Sequence, residues 1–184
     1  YFRVLDDGTF ELREPDAPSR MVRPEDCRWL QVVDTAMSEK TSSDYTVIVT
    51  LAITIDGRML VVDVQRERME VPDQWPAIKR ARERWPRSAY TGIEEKGSGI
   101  GLLQIARREG VPVMALEAKA SKEIRAVPLS LAYDQGYIYH RADAPWLADL
   151  ENELVVFPKG SFDDQADCLA HAEPLRQAAA AGVV

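Results

Sequence analysis

Tyr45-Thr-Val-Ile-Val-Thr-Leu-Ala-Ile-Thr-Ile55-Asp56-Gly57-Arg58-Met-Leu-Val-Val-Asp-Val-Gln65 is the stretch that decides the fold. A long β-branched run enters Asp56-Gly57, a dipeptide suited to tight hairpin turns, and a second apolar run leaves it. Upstream, Trp29 to Ala36 reads as a third strand, so the three segments form an antiparallel meander. Downstream the grammar changes to helices and strands in alternation. Gln74 to Trp85 reads as a helix, Ala89 to Glu94 as a strand, and Gly97 to Glu109 as a helix ended by Gly110. Val111 to Leu116 is a buried strand, and Ala118 to Asp134 a helix interrupted by Pro128. Tyr137 to Tyr139 is a candidate edge strand, Pro145 to Val155 a helix with proline in its first turn, and Asp163 to Ala180 the last helix.

A three-stranded meander followed by αβαβα predicts an α/β domain with a mixed five-stranded sheet and helices on both faces. That element order is the order of the ribonuclease H-like fold. Residues 1 to 27 are polar and interrupted by Pro15, Pro18 and Pro24, and Asp6-Asp7-Gly8 is a hairpin-turn signal. They are expected to be a linker or a small hairpin, with the domain proper over residues 28–184.

At 184 residues, 46% hydrophobic and 29% charged, the chain has the composition of one globular domain with a sizeable core. No apolar run approaches the roughly 20 residues of a membrane helix, and no signal-peptide pattern opens the chain. Opening on Tyr1 rather than Met suggests a piece of a longer protein. Cys27 and Cys168 lack a nearby cysteine partner, which argues against structural zinc and suits buried, inert thiols. A net charge of −7 speaks against a nucleic-acid partner, yet clustered carboxylates supply part of it and bound divalent cations would offset it. Basic residues also gather locally, at Lys79 to Arg87, at Arg107-Arg108, and at Lys119, Lys122 and Arg125; the plain reading of each run is a solvated helix face.

Three acidic sites stand far apart in sequence but each at a strand end or helix start. Asp34 ends the apolar run Trp29-Leu-Gln-Val-Val, Glu94 and Glu95 follow Ile93, and Asp163-Asp164-Gln-Ala-Asp167 opens the last helix. Carboxylates that converge repel one another unless a cation lies between them. Hard oxygen ligands select Mg²⁺ or Mn²⁺, ions that serve phosphoryl chemistry on nucleotides and nucleic acids. Each acid also has a plainer reading. Asp34 suits a turn, and Ser161-Phe-Asp-Asp164 has the spacing of a capping box. Capping accounts for one aspartate, not three in five residues. Asp44, which opens the strand after Asp34, is either an outer ligand or a turn residue. Alternation allows only one of Glu94 and Glu95 to face a site. Gly97-Ser-Gly-Ile-Gly101 matches no phosphate-binding loop, so helix entry and close backbone packing are the expected roles of its glycines. His171 follows Asp167 by four, but a lone helix histidine is more often a hydrogen-bonded group than a ligand.

These segments together resemble the nuclease domain of the large terminase subunit of tailed bacteriophages and prophages. The resemblance runs over about residues 28 to 175. It is carried by Gln31-Val-Val-Asp-Thr-Ala, Ile93-Glu-Glu-Lys-Gly-Ser-Gly-Ile-Gly-Leu-Leu-Gln104 and Lys122-Glu-Ile-Arg125, then by Glu153-Leu-Val-Val-Phe-Pro-Lys-Gly160 and Phe162-Asp-Asp-Gln-Ala-Asp167. Phe162 stands where that family often carries histidine. The resemblance implies an endonuclease that cuts concatemeric double-stranded DNA during viral packaging, in the cytoplasm of the bacterial host, using Mg²⁺ or Mn²⁺. Its partners would be an ATPase domain of the same full-length protein, the small terminase subunit and the portal, with no membrane. By the same resemblance Asp34, Glu94 and Asp164 are catalytic, and Asp163 and Asp167 complete the metal ligands. Asp34 would bridge two ions, with Glu94 on one and Asp164 on the other. Lys122 and Arg125, three apart on one helix face, are the candidate DNA contacts. Two alternatives stand beside this reading: a junction resolvase or transposase-like nuclease of the same fold, and a non-catalytic module that docks on DNA or the portal.

Overall fold

A computed structural model describes residues 1–14, 17–35, 45–117, 120–160 and 163–182. Asp44 and Lys119 lie outside the described residues, as do Ser161 and Phe162 of the capping-box motif.

Residues 1 to 27, expected as a linker or a small hairpin, form an antiparallel three-stranded sheet: β1 (Phe2–Val4), β2 (Phe10–Leu12) and β3 (Arg20–Val22). The turn between the first two strands places Gly8 at φ +85, where glycine carries no steric penalty. Thr9 N–H donates to Asp7 Oδ1 at 2.9 Å in the same turn. Phe2, Phe10, Leu12 and Val22 bury into a cluster with Trp29, Leu60, Val62 and Tyr139 of the domain proper. Burying each large apolar side chain stabilises by about 1.5–3 kcal/mol, enough to dock a segment whose strands are too short to stand alone.

The main sheet has β4 (Arg28–Asp34), β5 (Thr46–Ile53) and β6 (Met59–Glu67), the expected meander, with both strand pairs antiparallel. The β5–β6 hairpin turns at Asp56-Gly57, with Gly57 at φ +82. A Cβ there would lie 3.0 Å from Ala180 Cβ, so the tight turn also lets the last helix approach. After α1 (Val71–Arg84), β7 (Ser88–Glu94) pairs parallel with β4; after α2 (Ser98–Glu109), β8 (Val113–Leu116) pairs parallel with β7. Beyond α3 (Lys122–Asp134), β9 (Ile138–His140) adds to β6 in parallel, followed by α4 (Leu147–Val156) and α5 (Asp164–Ala180). The strand order is β8-β7-β4-β5-β6-β9. The sheet therefore has six strands rather than five, because the candidate edge strand joins it. This is the ribonuclease H-like α/β fold.

Both faces are covered, as expected. Val33, Ile48 and Ile93 pack against Trp75 and Ile78 of α1 and Leu102 and Leu103 of α2. Leu30, Val32, Val47 and Val49 point the other way, onto Leu129, Leu150, Cys168, Leu169 and Ala172 of α3, α4 and α5. Cys168 is fully buried there, and desolvation raises the thiol of half-buried Cys27 to about 12, so both cysteines are inert. Helix α5 is buried on nearly every side, lying across β4 and β5 and against α3. Its polar residues survive burial through partners. Arg176 grips Glu173 through Nε and Nη2 at 2.7 Å each and donates to the Gly57 carbonyl at 2.5 Å.

Candidate functional site

The pleat fixes which acids meet. In the parallel β4–β7 pair Val33 lies opposite Ile93, so the next residues, Asp34 and Glu94, stand side by side at the carboxyl ends of both strands. Val33 and Ile93 face α1 and α2, so alternation sends Asp34 and Glu94 toward α5. Glu95, one residue on, is exposed on the other side, and its N–H bonds the Leu116 carbonyl at 2.9 Å. Immediately after Glu94 the chain enters α2 so tightly that a Cβ on Gly99 would fall 2.0 Å from the Glu94 carbonyl oxygen. Only glycine fits there, which gives the glycine-rich bend its packing role and holds the Glu94 backbone in place.

Helix α5 brings the third acidic site to the same edge. Asp163 is its N-cap residue, Asp164 lies in the first turn, and Asp167 is buried at 3% exposure. Two of these acids are already engaged by α3. Arg125 Nη2 meets both oxygens of Asp167 at 2.7 Å, with Nε on Oδ1 at 3.2 Å. Lys122 Nζ bonds Asp163 Oδ1 at 2.8 Å and lies 3.8 Å from Asp167 Oδ2. In this structure the two candidate DNA contacts are thus partners of two candidate ligands, Arg125 largely covered and Lys122 still well exposed. His171, one turn beyond Asp167, puts Nε2 3.6 Å from Glu94 Oε1, too long for a hydrogen bond but close enough for electrostatic attraction.

The charges do not balance at Asp34. Burial, followed by the charges of Glu94, Asp167 and Asp164, pushes its carboxyl well above the usual carboxylate range. Glu94 moves the other way, because the His171 imidazole beside it favours the charged form. The two carboxyls are thus pushed in opposite directions, and their titration belongs to the pair rather than to either residue. Asp164 is pushed up to about 6 by burial and by the charges of Glu153 and Asp163, against the pull of Arg66 and Lys122.

Among the described residues, no group of three or more His, Cys, Asp or Glu side chains is already gathered to hold an ion. Asp167 and Asp163 are committed to Arg125 and Lys122. Asp34, Glu94 and Asp164 nevertheless have the donor chemistry for a hard divalent cation: all are oxygen ligands, and Asp34 and Asp164 are raised by burial and by neighbouring carboxylates, a cost that a cation would relieve. The residues fit such an ion chemically.

One buried acid escaped the sequence reading. Glu153 of α4 accepts the Ala166 N–H at 2.9 Å and the Gln165 side-chain amide at 2.8 Å, both in the first turn of α5. Its sequence signal was a charge between apolar residues of one helix face, with Leu150 buried three residues before it.

The sheet order and the acid edge define a ribonuclease H-like nuclease fold. The sequence matches the terminase RNaseH-like domain family over residues 31–173, and the chain belongs to that family. No curated protein matches it. Among solved structures it is similar to the large terminase nuclease from the thermophilic phage G20c with bound zinc. That match has TM-score 0.65 and 21% identity, covering 89% of this chain and 90% of that one. The same nuclease has also been solved with magnesium and with cobalt. The human cytomegalovirus terminase nuclease domain matches at TM-score 0.57 and 12% identity, over 80% of this chain and 82% of that one. RuvC of Thermus thermophilus matches at TM-score 0.51 and 17% identity, over 84% of this chain and 98% of that one.

Proposed function

We propose that the domain is a divalent-metal-dependent endodeoxyribonuclease of a viral DNA-packaging terminase, hydrolysing phosphodiester bonds of concatemeric double-stranded DNA. The observation that carries this reading is that Asp34 and Glu94 end neighbouring parallel strands on the side covered by α5, with Asp34 raised by burial and then by the charges of Glu94, Asp167 and Asp164. Family membership and the metal-bound relatives support it.

Asp34, Glu94 and Asp164 are the residues that would hold the divalent cations. Mg²⁺ or Mn²⁺ bound there supplies Lewis-acid polarisation of the scissile phosphate and neutralises charge at the attacking and leaving oxygens. The chain's own residues do the rest. His171 favours ionised Glu94, so that ligand is ready for a cation. Arg125 fixes Asp167 and so locks α5 to α3 under the site. Asp163 would become a further ligand by exchanging Lys122 for metal, which frees that lysine to meet the phosphate backbone, while Asp167 stays with Arg125. Asp44 would be a supporting acid, whereas Glu95, exposed on the opposite side, would not. The wider protein would add an ATPase domain, and a small terminase subunit and portal would be its partners in the host cytoplasm. Among the described residues no helix is long and apolar enough to cross a membrane.

The test is thermal melting with and without millimolar Mg²⁺ or Mn²⁺, at pH 8 and pH 5. Ions bind only the folded cluster and need its carboxylates ionised, so they should raise the melting temperature more at pH 8. A melting curve indifferent to both metals at both pH values would refute the metal site. A second reading, a junction resolvase-like nuclease, is favoured by the fold similarity to RuvC. Preferential cleavage of four-way junctions over linear duplex would establish it in place of the terminase reading.

A further inference from the structure

Helix α5 begins without a side-chain cap of its own. Asp163 occupies the N-cap position, but its carboxylate makes no bond to the first turn and is held by Lys122 instead. The first N–H groups of a helix have no partner inside it, and burial makes each unmet one costly. The Asp167 N–H is met by the Asp163 carbonyl at 2.8 Å. The Ala166 N–H is met from another helix altogether, by Glu153 Oε1 of α4 at 2.9 Å. The second oxygen, Oε2, accepts the Gln165 side-chain amide at 2.8 Å. Glu153, Gln165 and Ala166 are all buried, so water offers no substitute for these bonds. Arg66 of β6 lies 3.9 Å from the same carboxylate and tethers it to the sheet.

Both oxygens of Glu153 are therefore spent on the two consecutive residues that separate Asp164 from Asp167. A first turn held at Gln165 and Ala166 cannot rotate or fray, and Asp164, which precedes them, inherits that fixed orientation. We infer that Glu153 is a positioning residue: it caps α5 from α4 and thereby aims Asp164 at the edge where Asp34 and Glu94 stand. This rests on the reading of those acids as a cation site. Among the described residues the structure gives Glu153 no hydrogen bond to Asp34 or Glu94; it holds α5 through Gln165 and Ala166, and its charge also bears on Asp164, which is why a variant that removes the charge alone is needed.

Two substitutions separate reach from charge. Glu153→Gln keeps the chain length and an acceptor for the Ala166 N–H but loses the charge; Gln165 can turn its own amide to match. Glu153→Asp keeps the charge but falls one methylene short. The measurements are Mn²⁺ titration by calorimetry without DNA, and hydrogen exchange of the Ala166 amide. If Glu153 positions by capping, Glu153→Asp should weaken Mn²⁺ binding about tenfold or more and speed Ala166 exchange about tenfold, as for a lost cap. Glu153→Gln should stay within about threefold of the native protein on both readings. Native-like Mn²⁺ affinity in Glu153→Asp overturns the inference, and so does an equal or larger loss of affinity in Glu153→Gln. Failure of the native protein itself to bind Mn²⁺ would instead overturn the cation-site reading, so the two failures are distinguishable.

Discussion

Replacing Asp34 with asparagine should stabilise the metal-free protein while abolishing cleavage. The carboxyl stands beside Glu94 where two parallel strands end side by side, their backbones about 4.8 Å apart. Two unit charges about 5 Å apart repel by about 3 kcal/mol at an effective dielectric constant of roughly 20. Asp34 is partly exposed and His171 draws on the Glu94 charge, so screening reduces this to about 1–2 kcal/mol. For a domain of this size that corresponds to a melting-temperature rise of roughly 3–6 °C. The pH dependence fixes the sign. The Asp34 carboxyl titrates higher in the folded protein than in the unfolded chain, so stability is lost as pH rises from the unfolded value through the folded one. Asparagine removes that loss. Its advantage should be greatest near pH 7.5, should shrink toward zero near pH 4, and should vanish when saturating Mg²⁺ stabilises the native protein. The assay is thermal denaturation by circular dichroism in chelator, at both pH values. An Asp34→Asn protein that melts at or below the native temperature at pH 7.5 would refute the reasoning, as would a gain equally large at pH 4.

Arg125→Ala should destabilise the fold by about 3–5 kcal/mol, measured by urea denaturation, because it leaves buried Asp167 without its two-pronged partner. A loss below about 1 kcal/mol would mean that the pair does not hold α5 to α3. Lys122→Ala, made in the Asp34→Asn background to prevent cleavage, should weaken binding to all duplex sequences alike and reduce the log–log salt slope by about 1. An unchanged slope and affinity would leave Lys122 with its present role as partner of Asp163.

The meander was legible because β-branched runs and an Asp-Gly turn carry their own local physics, and β5 is buried throughout, as its unbroken apolar text suggests. Alternation told only that one of Glu94 and Glu95 could face a site; that it is Glu94 follows from the parallel pairing of Val33 with Ile93, which local sequence does not carry. The Asp6-Asp7-Gly8 turn signalled the first hairpin, but the third strand and the docking were not legible, because three residues cannot establish a period and the burial depends on Trp29, Leu60 and Tyr139 far along the chain. The same holds for the ion pairs of α3 with α5. Spacing placed Lys122 and Arg125 on one helix face, but nothing local indicates that Asp163 and Asp167, some forty residues away, would claim them. Glu153 was hidden for a related reason. A carboxylate that caps another helix looks, in sequence, like any surface glutamate of an amphipathic helix.

The most direct test of the nuclease reading is incubation of supercoiled plasmid with the native protein and with Asp34→Asn, in Mn²⁺ and in excess chelator. The account expects nicked and linear DNA only from the native protein with Mn²⁺. Equal cleavage by Asp34→Asn, or cleavage that persists in chelator, would contradict it.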